Sequence, residues 1–174
     1  MSKLAISRRQ LLTGGSIALA ATAIGAIPPA GAAGSFTAAG ASDEVVLTVT
    51  GRLSANRGFT LTSFEDLGLS QLTTKTPWDH VPVSFEGVRL DRFREALGIT
   101  GDLRVTALND YSAVVPATDA KVKPLLATRR NGVPLSIRDK GPVFLVYPFD
   151  SSPELSNEAV YARCVWQITA IEAL

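Results

Sequence analysis

Few side chains in this sequence could carry out a reaction. The single cysteine, Cys164, sits in Arg163-Cys164-Val165-Trp166, an alternating apolar stretch where a thiol packs as a small hydrophobe. The single histidine, His80, follows Trp78-Asp79 at an expected loop and has no second imidazole to share acid–base work. One Cys excludes an internal disulfide, and one Cys with one His falls short of a zinc site of the usual kind. No glycine-rich phosphate loop, nucleophile elbow or metal-ligand spacing occurs. On its reactive groups, the chain is poorly equipped as an enzyme.

It is richer in groups that hold a ligand. Aromatic residues make up only 7% of the chain, so the places where they meet polar side chains matter. Thr76-Pro77-Trp78 sets an indole behind a proline-stiffened turn, and Asn109-Asp110-Tyr111-Ser112 lines up four hydrogen-bonding side chains between two expected strands. Tyr147-Pro148-Phe149-Asp150 ends the most apolar run with an aromatic, a bend and a carboxylate, and Tyr161-Ala162-Arg163 precedes Trp166. Singly, each is an ordinary turn or core plug. Four such clusters at strand ends describe a polar, aromatic-lined pocket.

A flat heteroaromatic ligand suits that set. Trp78, Tyr111 or Trp166 would stack on its face, and Asp110 or Asp150 would accept from an amino-pyrimidine edge. A carboxylate taking two parallel N–H bonds discriminates strongly against analogues that lack the donors. The candidate ligand-binding residues are Thr76, Trp78, Asn109, Asp110, Tyr111, Ser112, Tyr147, Asp150, Arg163 and Trp166, with no catalytic or metal-ligating residue assigned.

These clusters need strands to hold them. Val45–Thr50 is β-branched and stopped by Gly51; Gln71–Thr76 alternates; Val81–Glu86 is a strand in which Pro82 argues for an edge or bulge. Leu103–Leu108, Ser112–Val115, Leu125–Arg129 and Val143–Tyr147 follow, with Asn131-Gly132 as a hairpin turn into Val133-Pro134-Leu135. Cys164–Ala173 is expected as the closing strand. Two short helices are expected, one capped by Ser63 and one running Arg92–Leu97 between Asp91 and Gly98. Two helices among about nine strands give a mostly-β α+β domain over residues 43–174.

The N-terminal segment reads as an address. Ser7-Arg8-Arg9-Gln10-Leu11-Leu12, a mildly apolar Gly/Ala-rich stretch and Pro28-Pro29-Ala30-Gly31-Ala32 form the three parts of an export signal. The paired arginines followed by two leucines match a twin-arginine signal with cleavage expected after Ala32. The stretch is too short and too broken by glycine and proline for a membrane anchor. Residues 33–42, small and polar, make an expected flexible arm. The formal net charge of +1 depends on this segment: without Lys3, Arg8 and Arg9 the remaining 142 residues carry 14 bases and 16 acids, a net of −2. That leaves no basic footprint for nucleic acid.

Seven blocks in order, Leu47-Thr48-Val49-Thr50-Gly51, Phe85-Glu86-Gly87-Val88-Arg89-Leu90, Ala107–Ser112, Leu125-Leu126-Ala127, Asn131–Leu135, Gly141-Pro142-Val143 and Tyr147-Pro148, resemble the sulfite-oxidase-type molybdopterin-binding domain over residues 45–173. In catalytic members a cysteine thiolate ligates molybdenum from the segment between the first short helix and the Gly-Val-Arg-Leu block. Here that segment reads Leu72-Thr73-Thr74-Lys75-Thr76-Pro77-Trp78, without sulfur, and Cys164, in the expected last strand, does not match the ligand's position in the motif. The short, leader-bearing form is similar to stand-alone periplasmic pterin-binding regulators (PruR-like). That resemblance implies a reduced pterin such as a tetrahydropterin as ligand, with no molybdenum. It also implies a partner, the periplasmic sensory domain of an inner-membrane cyclic-di-GMP synthase/phosphodiesterase, and hence control of biofilm formation. The alternative implied by the same fold is a molybdopterin-dependent oxidoreductase subunit.

Overall fold

A computed structural model describes residues 44–174. The expected signal 1–32, the arm 33–42 and Asp43 lie outside the described residues. Within them strands predominate, and the class is α+β with short helices. The first sheet runs, in spatial order, β2 (Arg57–Phe59), β1 (Leu47–Gly51), β10 (Ile168–Ala173), β5 (Leu103–Ala107) and β6 (Ser112–Val115). Only β1 and β10 pair in parallel; the other neighbours are antiparallel. The second sheet runs β3 (Leu69–Thr76), β4 (Asp79–Arg89) and β7 (Leu125–Arg130). The far edge of β7 is shared, with β8 (Val133–Pro134) on its last residues and β9 (Phe144–Val146) on its first.

Alternation explains which face is buried. In β1, Leu47 and Val49 are buried and Thr48 is exposed; in β5, Leu103, Val105 and Ala107 are buried with Arg104 exposed between them. One apolar cluster draws Val49, Val105 and Ile171 from the first sheet and Phe85, Leu126 and Phe144 from the second. Helices α1 (Leu61–Glu65) and α2 (Leu90–Leu97) add Phe64 and Phe93, whose rings meet 6.0 Å apart. Gly87 sits where β4 slips register against β7. A Cβ there would fall 2.1 Å from the Leu126 carbonyl oxygen, so the strands approach as closely as they do only because the residue has no side chain.

Several local expectations are corrected. Helix α1 is capped by Thr60, and Ser63 is the other half of a reciprocal capping box three residues later. Helix α2 starts at Leu90 with Arg89 as the flanking residue, so Asp91 is in its first turn rather than before it, paired with Arg89. Gly98 does close α2 in the left-handed conformation, φ 66°. Pro82 lies on the part of β4 that extends beyond β7 and faces the irregular register between Thr74 and Thr76, where a missing N–H costs little.

The largest correction falls at the C-terminal end. Glu158–Arg163 is a helix, α3, capped by the Asn157 side chain, which accepts from the Val160 N–H. Cys164 through Gln167 form a connection, and the closing strand begins only at Ile168. Gln167 takes a left-handed φ of 52° and lies before the β10 ladder, which starts at Ile168, so the apparent alternation through Cys164-Val165-Trp166 is not one of a strand.

Candidate functional site

The connection from Cys164 to Ile168 is the seam between the two sheets. Leu145 N–H donates to Val165 O at 3.0 Å, and Ile168 N–H donates to Val143 O at 2.9 Å, binding the seam to β9 and the residues before it. On the other side Leu108 N–H donates to Gln167 O at 2.9 Å, binding it to the end of β5. The turn at Gln167 carries the chain from one sheet to the other, and Trp166 is left projecting beside it, 38% exposed.

A cavity of about 320 Å³ opens over this seam. Cys164, Val165, Trp166 and Gln167 line one part of it. The β3–β4 turn contributes Trp78, the β5–β6 turn contributes Asn109 and Tyr111, and α3 contributes Tyr161. The two indoles meet edge to face, centroids 5.0 Å apart at 86°, and Phe144 packs against both at 6.4 and 6.5 Å. Lys140 Nζ stands over these three rings, 4.8 Å from Trp166, 4.9 Å from Trp78 and 5.4 Å from Phe144. Burial pulls the Lys140 ammonium below the ordinary lysine value, a pull that the Asp79 carboxylate opposes. Asp79 in turn pairs with Arg130 and accepts from the Thr76 hydroxyl at 2.8 Å. The indoles are thereby fixed from behind by a cation resting on their π faces.

The rim carries a small polar set. Asn109 Oδ1 accepts the Tyr111 N–H at 3.2 Å, leaving its NH₂ as donor; Gln167 NH₂ donates to Ile137 O at 2.7 Å, leaving its carbonyl as acceptor. The Tyr111 hydroxyl donates to Ala162 O at 2.8 Å, so its ring spans from the β5–β6 turn to α3. That turn depends on Asp110, which adopts φ 66° and donates its N–H to Ala107 O.

Of the ten residues singled out in the sequence, Trp78, Asn109, Tyr111 and Trp166 meet at this cavity. Thr76 and Asp150 line a second one beside it. The other four do not join them. Asp110 shapes the turn, and Ser112 is exposed in β6. Tyr147 is wholly buried, its hydroxyl donating to Asp119 Oδ2 at 2.6 Å. Arg163 Nε lies 3.3 Å from the same Asp119 oxygen. Three of the four clusters thus reach the first cavity, and the Tyr147 cluster divides: Tyr147 is in the core and Asp150 lines the second cavity. Sequence reasoning missed Tyr161, Gln167 and Lys140. Tyr161 belonged to the Tyr161-Ala162-Arg163 cluster but was left out of the candidate set, whereas nothing in Asp139-Lys140-Gly141 marks a lysine that will stand over two indoles.

The residues at hand do not fit a thiolate-bound molybdenum. The one thiol of the chain, Cys164, is 5% exposed; burial pushes it up to about 12, and its S–H donates to Val160 O at 3.5 Å. The β3–β4 turn that lines the same cavity brings no second sulfur to it. Among the described residues no group of three or more His, Cys, Asp and Glu side chains is placed to hold a metal ion. No helix among the described residues is long and apolar enough to cross a membrane.

No family model matches the chain, and no curated protein matches it. Among solved structures it is similar to a chain of the sulfane dehydrogenase SoxCD from Paracoccus pantotrophus, at 17% identity and a TM-score of 0.52. The likeness covers 72% of this chain but 37% of that one, so it is a likeness of fold and spans only part of the larger protein.

Proposed function

We propose that the chain is a non-enzymatic pterin-binding protein. It is exported to the periplasm by the twin-arginine route, and its occupancy is relayed to the sensory domain of an inner-membrane cyclic-di-GMP synthase/phosphodiesterase controlling biofilm formation. The observation that carries the reading is the composition of the aromatic cavity: two indoles and two tyrosines around a space sized for a small bicyclic ring, with no acid–base pair in its wall. The fold likeness to a dehydrogenase chain, taken with the sequence blocks that resemble the molybdopterin-binding domain, supports a pterin-type ligand as the class, and a cavity wall whose one sulfur is the buried Cys164 supports binding without a metal.

Within this reading an aromatic face of the ring packs against Trp78, Trp166 or Tyr111. Asn109 NH₂ donates to the 4-oxo group and Gln167 Oε1 accepts from the amino-pyrimidine edge. The amides take the part expected of Asp110 or Asp150, neither of which lines the cavity holding the indoles. Coupling to a partner follows if ligand and sensory domain favour the same arrangement of the Tyr111 turn. Each then strengthens the other's binding by the same factor.

The test is calorimetric titration of the exported chain with tetrahydropterin. Binding is expected, and Trp78→Ala should weaken it by more than about 1 kcal/mol, the scale of an aromatic pair. Absence of binding overturns the proposal. The fold likeness favours one second reading, a molybdopterin-dependent oxidoreductase subunit. Molybdenum at one equivalent per chain, after expression in a host that makes the cofactor, would establish it in place of the first.

A further inference from the structure

A second cavity of about 220 Å³ adjoins the aromatic one. Tyr161 lines both, and the Thr76-Pro77 end of the β3–β4 turn lines the second while the next residue, Trp78, lines the first. The chemistry of the two differs. The second contains no indole; its wall includes Lys75, Asp150 and Ser156 with the phenol of Tyr161. Asp150 is anchored at both ends: its Oδ2 accepts the Lys75 N–H at 2.9 Å, and its own N–H donates to Thr74 Oγ1 at 3.2 Å. That leaves Oδ1 as an acceptor, and the hydroxyls of Ser156 and Tyr161 have no protein partner among the described residues.

An acceptor-only carboxylate beside two hydroxyls selects for O–H donors. The Lys75 ammonium and the Asp150 carboxylate balance each other, so the wall offers no net positive charge to draw in a phosphate. We infer that this cavity is a subsite for a short, neutral, hydroxylated side chain on the ring bound next door; the inference rests on the pterin reading above. The ring lies on the indole side of Tyr161 and the polyol on the Asp150 side, so that Tyr161 separates the two halves of one ligand.

The experiment compares two probes on the full exported chain by calorimetry: 6,7-dimethyltetrahydropterin, which has the ring alone, and tetrahydrobiopterin, which adds a dihydroxypropyl group. Two or more new hydrogen bonds, one to a carboxylate, should make the second probe bind about tenfold tighter. Ser156→Ala and Asp150→Asn should each narrow that gap to about threefold or less, with Ser156→Ala leaving the affinity for the ring-only probe unchanged. Asn at 150 can still accept from the Lys75 N–H, so a loss there reports the missing charge and free acceptor and not an unfolded turn. Equal affinities for the two probes, or a gap that survives both substitutions, overturn the subsite and leave the pterin reading intact. Failure of both probes to bind overturns both.

Discussion

Tyr147→Phe separates a structural role from a ligand role at a residue that the sequence groups with the binding clusters. Tyr147 has no exposed surface, and its hydroxyl donates to Asp119 Oδ2 at 2.6 Å. Burial, and then the hydrogen bond to Asp119, push that hydroxyl far above the ordinary tyrosine value, so it stays a donor at any pH the protein meets. Removing it deletes one hydrogen bond to a charged acceptor, a class worth about 1.5–3 kcal/mol. Asp119 keeps Arg163 Nε at 3.3 Å and some contact with solvent, which places the loss toward the lower end, at about 2 kcal/mol. For a domain of this size that lowers Tm by about 6–8 °C. Urea unfolding followed by circular dichroism should show a lower midpoint at unchanged slope. Calorimetry with tetrahydropterin should show no change in affinity. A variant as stable as the parent, or one that is stable but binds the ring poorly, would refute this account of the Asp119 array.

Two further outcomes follow from buried groups. Cys164, pushed up to about 12 by burial, should resist a thiol reagent at about pH 8 in the folded protein and titrate as one equivalent on denaturation; fast labelling of the native chain would show that the thiol is not held in the core. Glu65 is driven upward by burial, but the Arg129 hydrogen bonds and charge together with the Thr128 hydroxyl outweigh that and hold its carboxyl below the ordinary value of 4.5. A depressed folded value means the stabilisation is complete above about 4.5 and is lost as pH falls through the folded value, so Glu65→Gln should flatten the fall in stability as pH drops below about 4.5 and leave the slope above it unchanged. Urea midpoints on both sides of that value decide it, and a parent-like acid limb in the variant would exclude Glu65 as its source.

How much of this was legible depended on whether the determinant was local. The Asn131-Gly132 hairpin could be read because both residues need positive φ, and they have it, at 50° and 79°. Ser112–Val115 is a strand with the bounds its pattern predicts. The cavity was half legible: the indoles and the Asn109–Tyr111 turn are present in it, because turn residues beside aromatics are marked locally in the sequence. What was not legible came from contacts distant in sequence. Gln167 turns left-handed because the seam must bond Lys140 O on one side and Leu108 N–H on the other, and no pattern around Gln167 encodes either partner. The same holds for α3, whose six residues are too few to establish a helical period, although the Asn157 cap was there to be noticed.

Both tryptophans of the chain stand on the rim of the same cavity, with their rings in contact. The intrinsic fluorescence of the protein therefore comes from one place. A guest in the cavity would touch both indoles at once, next to the Lys140 charge that stands over them. Occupancy in this molecule can be followed by light, without an added dye.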